Sequence, residues 1–106
     1  MVTYEEFRKI ELKVAKIIDV QEHPNADRLY VIKVNAGDKE KQVVAGIRAS
    51  YAKESLVGKY VVLVDNLEPA VLRGVESQGM LLASSDEKGI AVISPDREVV
   101  PGSIVK

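Results

Sequence analysis

The fold of this chain is decided by residues 12–34, LKVAKIIDVQEHPNADRLYVIKV. Positions 12, 14, 18 and 20 are apolar, which is the two-residue period of a half-buried strand, and Lys16 breaks the alternation as a β-bulge or bend would. The turn at residues 23–27 follows, because proline fixes φ and Asn and Asp bond their own backbone. Leu29–Val34 then predicts a second antiparallel strand.

The segments on either side of this pair predict a small barrel. They comprise a short helix capped by Thr3 and Glu6, a hairpin loop at Gly37-Asp38, strands at Gln42–Ala45, Lys59–Val64, Gly79–Ala83 and Gly89–Ile93, and a short helix within Gly46–Gly58. Three strands, a helix and two strands, with short extra elements at each end, form a five-stranded barrel of the OB kind when the sheet closes, and closure removes exposed edges. We therefore predict a mainly β, single domain over residues 1–106, with a core at about 10–90 and terminal extensions.

Composition narrows the class of protein. The 106 residues are 46% apolar and 29% charged, with a net charge of −1, which indicates one folded domain rather than a disordered chain. The absence of cysteine excludes a disulfide scaffold and, with a single histidine, a Cys/His zinc site. No apolar run approaches the ~20 residues of a membrane span, and residues 1–9 contain no apolar region of the signal-peptide kind. We expect a cytoplasmic protein with no membrane contact, metal or cofactor.

The chain offers little for catalysis. Its one histidine, His23, lies in the predicted turn, where Asp27 is within reach but no nucleophile is evident. No glycine-rich loop matches a phosphate-binding or dinucleotide-binding motif. Adjacent acids such as Asp86 and Glu87 point in different directions and are typical of a solvated surface. We therefore predict that the protein is not an enzyme.

Nucleic-acid binding fits the charge distribution better than the net charge suggests. Residues 28–73 hold eight basic and five acidic side chains, while both flanking segments are acidic. Lys33 should face outward from the second strand, Arg48 lies beside the helical segment and Arg73 lies in a polar loop, so each is placed to meet a phosphate. The five aromatic residues are too few for an extended base-stacking platform. We expect RNA recognition through shape and backbone contacts.

Three motifs carry a resemblance to one family. They are HPNADRL at residues 23–29, VVAGIR at 43–48 and LRGVESQGMLLAS at 72–84. In this order they resemble the tRNA-binding domain at the C-terminus of methionyl-tRNA synthetases, in free-standing homodimeric tRNA-binding proteins and in endothelial monocyte-activating polypeptide II. The resemblance runs from about Phe7 to Ile104.

The resemblance implies an OB fold that binds tRNA by its overall L-shape, with little sequence preference. It implies a homodimer built by residues 1–10 and about 90–106. It also implies tRNA contacts at Asn25, Lys33, Arg48, Arg73, Ser77, Met80 and Ser84. Glu76 is expected to orient Arg73. The residues alone leave two alternatives open, a Met80 buried in the core and an Asn25 that only builds the turn.

Several functions of different class remain. The single-domain chain is similar to the detached form, an accessory (beta) subunit that brings tRNA to the catalytic subunit of methionyl-tRNA synthetase in protein biosynthesis. One alternative is a dimeric OB-fold export chaperone for unfolded polypeptide. A second is a structural module that docks to or dimerises a synthetase. A third is a fragment like the N-terminal module of the phenylalanyl-tRNA synthetase beta chain.

Overall fold

An antiparallel sheet organises the chain in the computed structural model, which describes residues 1–106. The elements in chain order are α1 (Tyr4–Phe7), β1 (Leu12–Glu22), β2 (Tyr30–Asn35), β3 (Glu40–Ala45), α2 (Lys53–Leu56), β4 (Tyr60–Val64), β5 (Ala70–Leu72), β6 (Val75–Ser77), β7 (Met80–Leu81), β8 (Ala83–Asp86), β9 (Gly89–Val92) and β10 (Ile104–Val105). The main sheet has the order β3-β2-β1-β4-β7, and β10 also pairs with β1. The predicted five-stranded barrel, with a helix between the third and fourth strands, is confirmed.

A bulge in β1 sets which side chains enter the barrel. The pairing of β1 with β2 shifts register between Ile17 and Asp19. The core residues of β1 are consequently Ala15, Ile17 and Val20, while Ile18 is exposed. Of the four apolar positions in the predicted alternation, Val20 enters the core and Val14 is buried, whereas Ile18 is exposed. The irregularity is real, but it lies after Ile17 rather than at Lys16, and an inserted residue reverses the facing of every residue beyond it.

The strand β2 has the predicted orientation. Tyr30, Ile32 and Val34 are buried, and Lys33 between them is exposed on the outer face. Every residue of β4 after Tyr60 is buried, as expected for a strand covered on both faces. These strands position the outer face of β2 and β3 as a surface open to a partner.

The chain between β5 and β7 closes the barrel, and sequence reasoning missed its first half. Residues 73–79 were interpreted as a polar loop, but β5 and β6 form a hairpin there. After it, the Gln78 N–H donates to the Gln42 carbonyl on the free edge of β3 (2.7 Å), and β7 pairs with β4. At the crossing, a Cβ on Gly79 would lie 2.7 Å from the Val64 carbonyl oxygen, so only glycine fits.

An ion triad stabilises one end of the barrel. The Asp65 carboxylate contacts the ammonium groups of Lys41 (2.7 Å) and Lys13 (2.9 Å). Burial by itself raises the pKa of Asp65, but the hydrogen bonds from Lys41 and Lys13 outweigh it and hold the pKa below its ordinary value. The hydrogen bond with Asp65 raises the pKa of Lys13. The triad therefore favours the charged forms of its members at neutral pH.

The terminal segments pack outside the barrel. Thr3 and Glu6 form the predicted capping box of α1, with reciprocal bonds between each side chain and the other residue's backbone. β10 pairs with the start of β1, and β8 and β9 form a separate hairpin. Both helices have four residues, so neither is long enough to cross a bilayer. No group of three or more His, Cys, Asp or Glu side chains has the geometry of a metal site.

Candidate nucleic-acid interface

The turn between β1 and β2 is fastened by a buried histidine. His23 is 4% exposed, and its backbone N–H donates to the Leu29 carbonyl across the turn. The Asn25 backbone N–H donates to Nδ1 of the His23 ring (2.9 Å). Because Nδ1 accepts, Nε2 carries the proton and donates to the Leu72 carbonyl oxygen (2.9 Å). One ring thus joins the turn to the end of β5.

The tip of the β5–β6 hairpin is a two-residue turn made by Arg73 and Gly74. Leu72 pairs directly with Val75, and the φ angles of Arg73 and Gly74 are 53° and 91°. Two successive positive φ values are the signature of a type I′ hairpin turn, in which glycine is favoured at the second position. Arg73 is the only non-glycine residue of the chain with positive φ. The hairpin thus holds an exposed guanidinium at its tip, at some cost in backbone strain.

Asn25 and Arg73 hold each other across the two turns. The Arg73 guanidinium donates to the Asn25 carbonyl oxygen (3.3 Å), and the Asn25 side-chain amide lies 3.5 Å from the Arg73 carbonyl oxygen. Both residues are exposed. Two sequence-predicted site residues that are 48 positions apart therefore form one polar surface.

Arg48 reaches the same turn from the far end of β3. Its guanidinium forms an ion pair with Glu22 (3.1 Å) and lies 3.4 Å from the Ala26 carbonyl oxygen. The pair with Glu22 partly neutralises its charge. We call residues 23–28 with Arg48 and residues 72–74 the polar corner. It contains Asn25, Arg48 and Arg73.

Lys33 lies outside the polar corner, on the outer face of β2. It stands opposite Gln42 on β3, and the Gln42 side chain donates to the Glu76 carbonyl oxygen on β6 (2.8 Å). No ion pair or hydrogen bond holds the Lys33 ammonium, so its charge is available to a ligand. The same surface therefore continues from the β5–β6 hairpin across β3 to Lys33.

A groove of about 490 Å³ opens beside the polar corner. Its walls come from the end of β3, the β5–β6 hairpin and the β8–β9 hairpin, and they include Met80 and Ser84. Met80 is 47% exposed, so the alternative of a buried methionine is wrong. The lining is mostly apolar, and Glu68 is its only charged residue. Because the lining offers a phosphate no cationic side chain, the groove suits a base, a sugar or an apolar side chain better than the phosphate backbone.

Two of the residues singled out from the motifs have internal partners or lack an expected one. Ser77 is 4% exposed, and its hydroxyl accepts from the Val44 N–H (2.9 Å) and donates to the Gly79 carbonyl (2.9 Å). This hydroxyl is used in closing the barrel and supports the groove wall. Glu76 makes no ion pair with Arg73, which is held by Asn25 instead.

The seven predicted site residues lie in three places. The polar corner contains Asn25, Arg48 and Arg73, and Lys33 lies on the adjoining strand face. The groove is lined by Ser77, Met80 and Ser84. The residue that sequence reasoning missed is His23, which was interpreted as an ordinary turn residue. A histidine before proline in a turn gives no local signal of a bond to a carbonyl 49 positions away.

Comparisons with known proteins identify a family and a similar sequence. A family model described as "Putative tRNA binding domain" matches residues 12–104. The methionine–tRNA ligase of Nanoarchaeum equitans is 53% identical over 106 residues, which is all of this chain and 14% of that ligase. The chain therefore spans about one seventh of the relative it matches.

Solved structures give two further similarities. The MetRS-related protein from Pyrococcus horikoshii has a TM-score of 0.92 and 33% identity, with 100% of this chain and 98% of that chain covered. The CsaA chaperone protein from Picrophilus torridus has a TM-score of 0.93 and 28% identity, with both chains covered completely. Proteins described as synthetase-related and as chaperones therefore share this fold.

Proposed function

Because the chain belongs to the tRNA-binding domain family and is related to a segment of methionine–tRNA ligases, we propose that it binds tRNA by shape and backbone contacts. The polar corner and Lys33 meet the phosphates and sugars, and the groove beside them takes an unstacked portion of the RNA. Sequence preference is small in this proposal, because contacts to the backbone carry no base information.

One observation carries the proposal. Motifs far apart in the chain converge at one corner, where Asn25 and Arg73 are hydrogen-bonded to each other and Arg48 reaches the same turn. A preformed polar surface loses less conformational entropy on binding than flexible side chains do. Its fixed spacing suits a rigid, folded RNA.

The placement of the five aromatic residues supports recognition of tRNA by its shape rather than by base stacking. Tyr30 is buried and donates to the Tyr51 carbonyl, and the Tyr51 hydroxyl accepts from the Val92 N–H. The other three aromatic residues lie outside the groove: Tyr60 contacts Lys16, and Tyr4 and Phe7 belong to α1. None lines the groove, so no ring there offers a stacking platform for successive bases.

We also propose that the chain acts as a homodimer and as an accessory (beta) subunit of methionyl-tRNA synthetase. Exposed apolar side chains of α1, of the segment that follows it and of β10 line one shallow pocket that contains no residue of the polar corner. We call this surface, which includes Phe7, Ile10 and Ile104, the apolar end. Exposed clusters of this kind are typical of protein interfaces. A second copy on this surface would leave the polar corner of each protomer free.

Two further parts of the proposal concern what the protein does not do and where it works. We propose a non-catalytic, cytoplasmic role in protein biosynthesis. The only histidine supports it, because both of its ring nitrogens are engaged with backbone groups and neither faces a nucleophile.

A gel-shift titration with unfractionated tRNA, repeated at two salt concentrations, tests the proposal. We expect binding that weakens as salt rises, with a slope of about −0.7 to −0.9 in log–log form for each phosphate contact. A single-stranded RNA of equal length should compete poorly. The proposal fails if tRNA is not bound, or if the unstructured strand binds more tightly.

A second candidate function rests on the apolar lining of the groove and the similarity to the CsaA chaperone protein. A groove with Met80 and Leu72 in its walls suits apolar side chains of an extended polypeptide. Suppression of aggregation of an unfolded protein, measured with and without tRNA, separates the two. Suppression together with absent tRNA binding favours the chaperone, and tRNA binding without suppression favours the first proposal.

A further inference from the structure

We propose that His23 is a positioning residue of the tRNA site: its neutral, Nε2-protonated ring locks the β1–β2 turn to the β5–β6 hairpin and so presets Asn25 and Arg73 for RNA. This inference rests on the proposed tRNA binding and adds a residue that makes no contact with RNA itself.

The ring has the connections that this role requires. It accepts from the Asn25 N–H and donates to the Leu72 carbonyl, each over 2.9 Å. Asn25 is itself a candidate contact, and Leu72 immediately precedes Arg73. The two bonds therefore fix the backbone positions from which both candidate side chains project.

Burial makes the arrangement selective for one form of the ring. His23 is 4% exposed, so water cannot freely replace the partners of its ring nitrogens. A donor must face the Leu72 carbonyl and an acceptor must face the Asn25 N–H, since a carbonyl cannot donate and an amide N–H cannot accept. Only the neutral Nε2–H tautomer satisfies both.

The Asn25–Arg73 bonds are too weak to replace this lock. They are 3.3 and 3.5 Å long and lie at the exposed surface, where water competes. The Asn25–Arg73 bonds align the two side chains only after the two turns have been brought together. The shorter bonds of the buried His23 ring hold the turns together.

Two isosteric variants separate the two bonds. In His23→Asn the side-chain oxygen takes the place of Nδ1 and keeps the acceptor for Asn25, but the side chain is too short for Leu72. In His23→Gln the amide nitrogen takes the place of Nε2 and keeps the donor to Leu72. We expect the Asn variant to bind unfractionated tRNA about 5- to 10-fold more weakly and the Gln variant to recover part of that loss.

A double-mutant cycle with Arg73→Asn distinguishes positioning from general loss of structure. If His23 acts through the hairpin tip, the loss from His23→Asn should be much smaller when Arg73 is already replaced. Asn66→Ala is the control, because it removes side-chain bonds to the backbone of Glu11 and Lys9, which span 55 and 57 residues and lie outside the polar corner and the groove. Asn66→Ala should leave tRNA affinity unchanged.

Long-range ¹H–¹⁵N NMR of the His23 ring completes the test, and it should show the Nε2–H tautomer in the free protein. An Nδ1–H tautomer, additive losses in the cycle, or unaltered affinity of His23→Asn while Arg73→Asn is impaired would overturn the inference and leave the proposed function standing. Absence of tRNA binding by the unmodified protein would instead reject the proposed function.

Discussion

At the scale of single residues, Arg73 combines a functional group with an unusual backbone. Its φ of 53° suits asparagine better than most residues, because asparagine tolerates the left-handed region. Arg73→Asn therefore removes the guanidinium and preserves the turn. We expect tRNA binding to weaken by about 1–2 kcal/mol and the salt slope to fall by about one phosphate contact.

The control for that prediction is Gly74→Ala, which strains the turn at φ 91° but keeps the guanidinium. Filter binding at several salt concentrations measures the tRNA affinity and the salt slope of both variants. Denaturant unfolding should show that Arg73→Asn is as stable as the native protein. An unchanged affinity and slope for Arg73→Asn would remove Arg73 from the interface.

Asp65 gives a pH-dependent prediction for stability. Its pKa is lowered in the folded state, so its contribution is present above the ordinary value of 3.8 and is lost as pH falls through the lowered folded value. At neutral pH, Asp65→Asn leaves Lys41 and Lys13 without a counter-charge, which should cost about 2–3 kcal/mol. The deficit should begin to narrow below the ordinary value of 3.8, where the carboxylate of the unfolded chain takes up a proton, and it should close as pH falls through the lowered folded value.

Denaturant unfolding of both proteins between pH 3 and pH 7 checks this. The pH dependence of Lys13 runs in the other direction. Because its pKa is raised in the folded state, its contribution to stability is present below the ordinary value and is lost as pH rises through the folded value. If the deficit of Asp65→Asn in free energy of unfolding stays constant down to pH 3, the charge of the Asp65 carboxylate does not contribute to stability and the prediction is wrong.

Single residues also show where sequence reasoning succeeds. The outward direction of Lys33 and the capping box of Thr3 and Glu6 follow from short-range periodicity and local bonding, and both were predicted correctly. The burial of Ser77 and the bridging role of His23 were not, because each depends on backbone groups 33 or more positions away. Local patterns do not reveal such partners.

At the scale of elements, the crossing between β6 and β7 closes the barrel and leaves no room for a side chain at Gly79. A methyl group would meet the Val64 carbonyl at 2.7 Å, and this oxygen belongs to a paired strand that cannot shift freely. We expect Gly79→Ala to lower the free energy of unfolding by about 2–3 kcal/mol.

Gly58→Ala is the matched control for Gly79→Ala. Gly58 follows α2 with φ 89° and nothing within 4 Å of an added Cβ, so only backbone strain of about 1–2 kcal/mol applies there. Urea denaturation compares the two variants. A Gly79→Ala protein as stable as the native chain would contradict the proposed closure.

The elements differ in how far their sequences reveal them. The strands β2 and β4 were predicted within about one residue, because β4 is a continuous apolar run and β2 alternates between buried apolar residues and a more exposed outer face. The hairpin β5–β6 was missed because its three-residue strands are too short to show a period, and its tip has Arg-Gly where Asn-Gly is the usual signal. The exposure of Ile18 on β1 could not be predicted, because a bulge inverts the facing of the residues beyond it without changing the composition of the strand.

At the scale of the whole molecule, the polar corner and the exposed apolar end are separate surfaces with separate expected partners. Ile104→Glu introduces a charge on β10 at a side chain that is 74% exposed in one protomer, so it should not disturb folding. Burial of that charge at a dimer interface is costly. We expect Ile104→Glu to shift the homodimer to monomers in sedimentation at micromolar concentration.

Val57→Glu is the control for the dimer prediction, because Val57 is exposed beside α2 and outside the apolar end. It should sediment like the native protein. A native chain that is already monomeric, or an Ile104→Glu dimer, would reject the proposed interface.

The measurement that tests the central claim most directly is a titration of ¹⁵N-labelled protein with unfractionated tRNA, followed by amide chemical shifts. We predict that the amide chemical shifts of one continuous surface change together, while those of α1 and β10 do not. This surface comprises residues 23–28, Lys33, Arg48 and residues 72–74. Responses centred on α1 and β10, or none at stoichiometric tRNA, would contradict it.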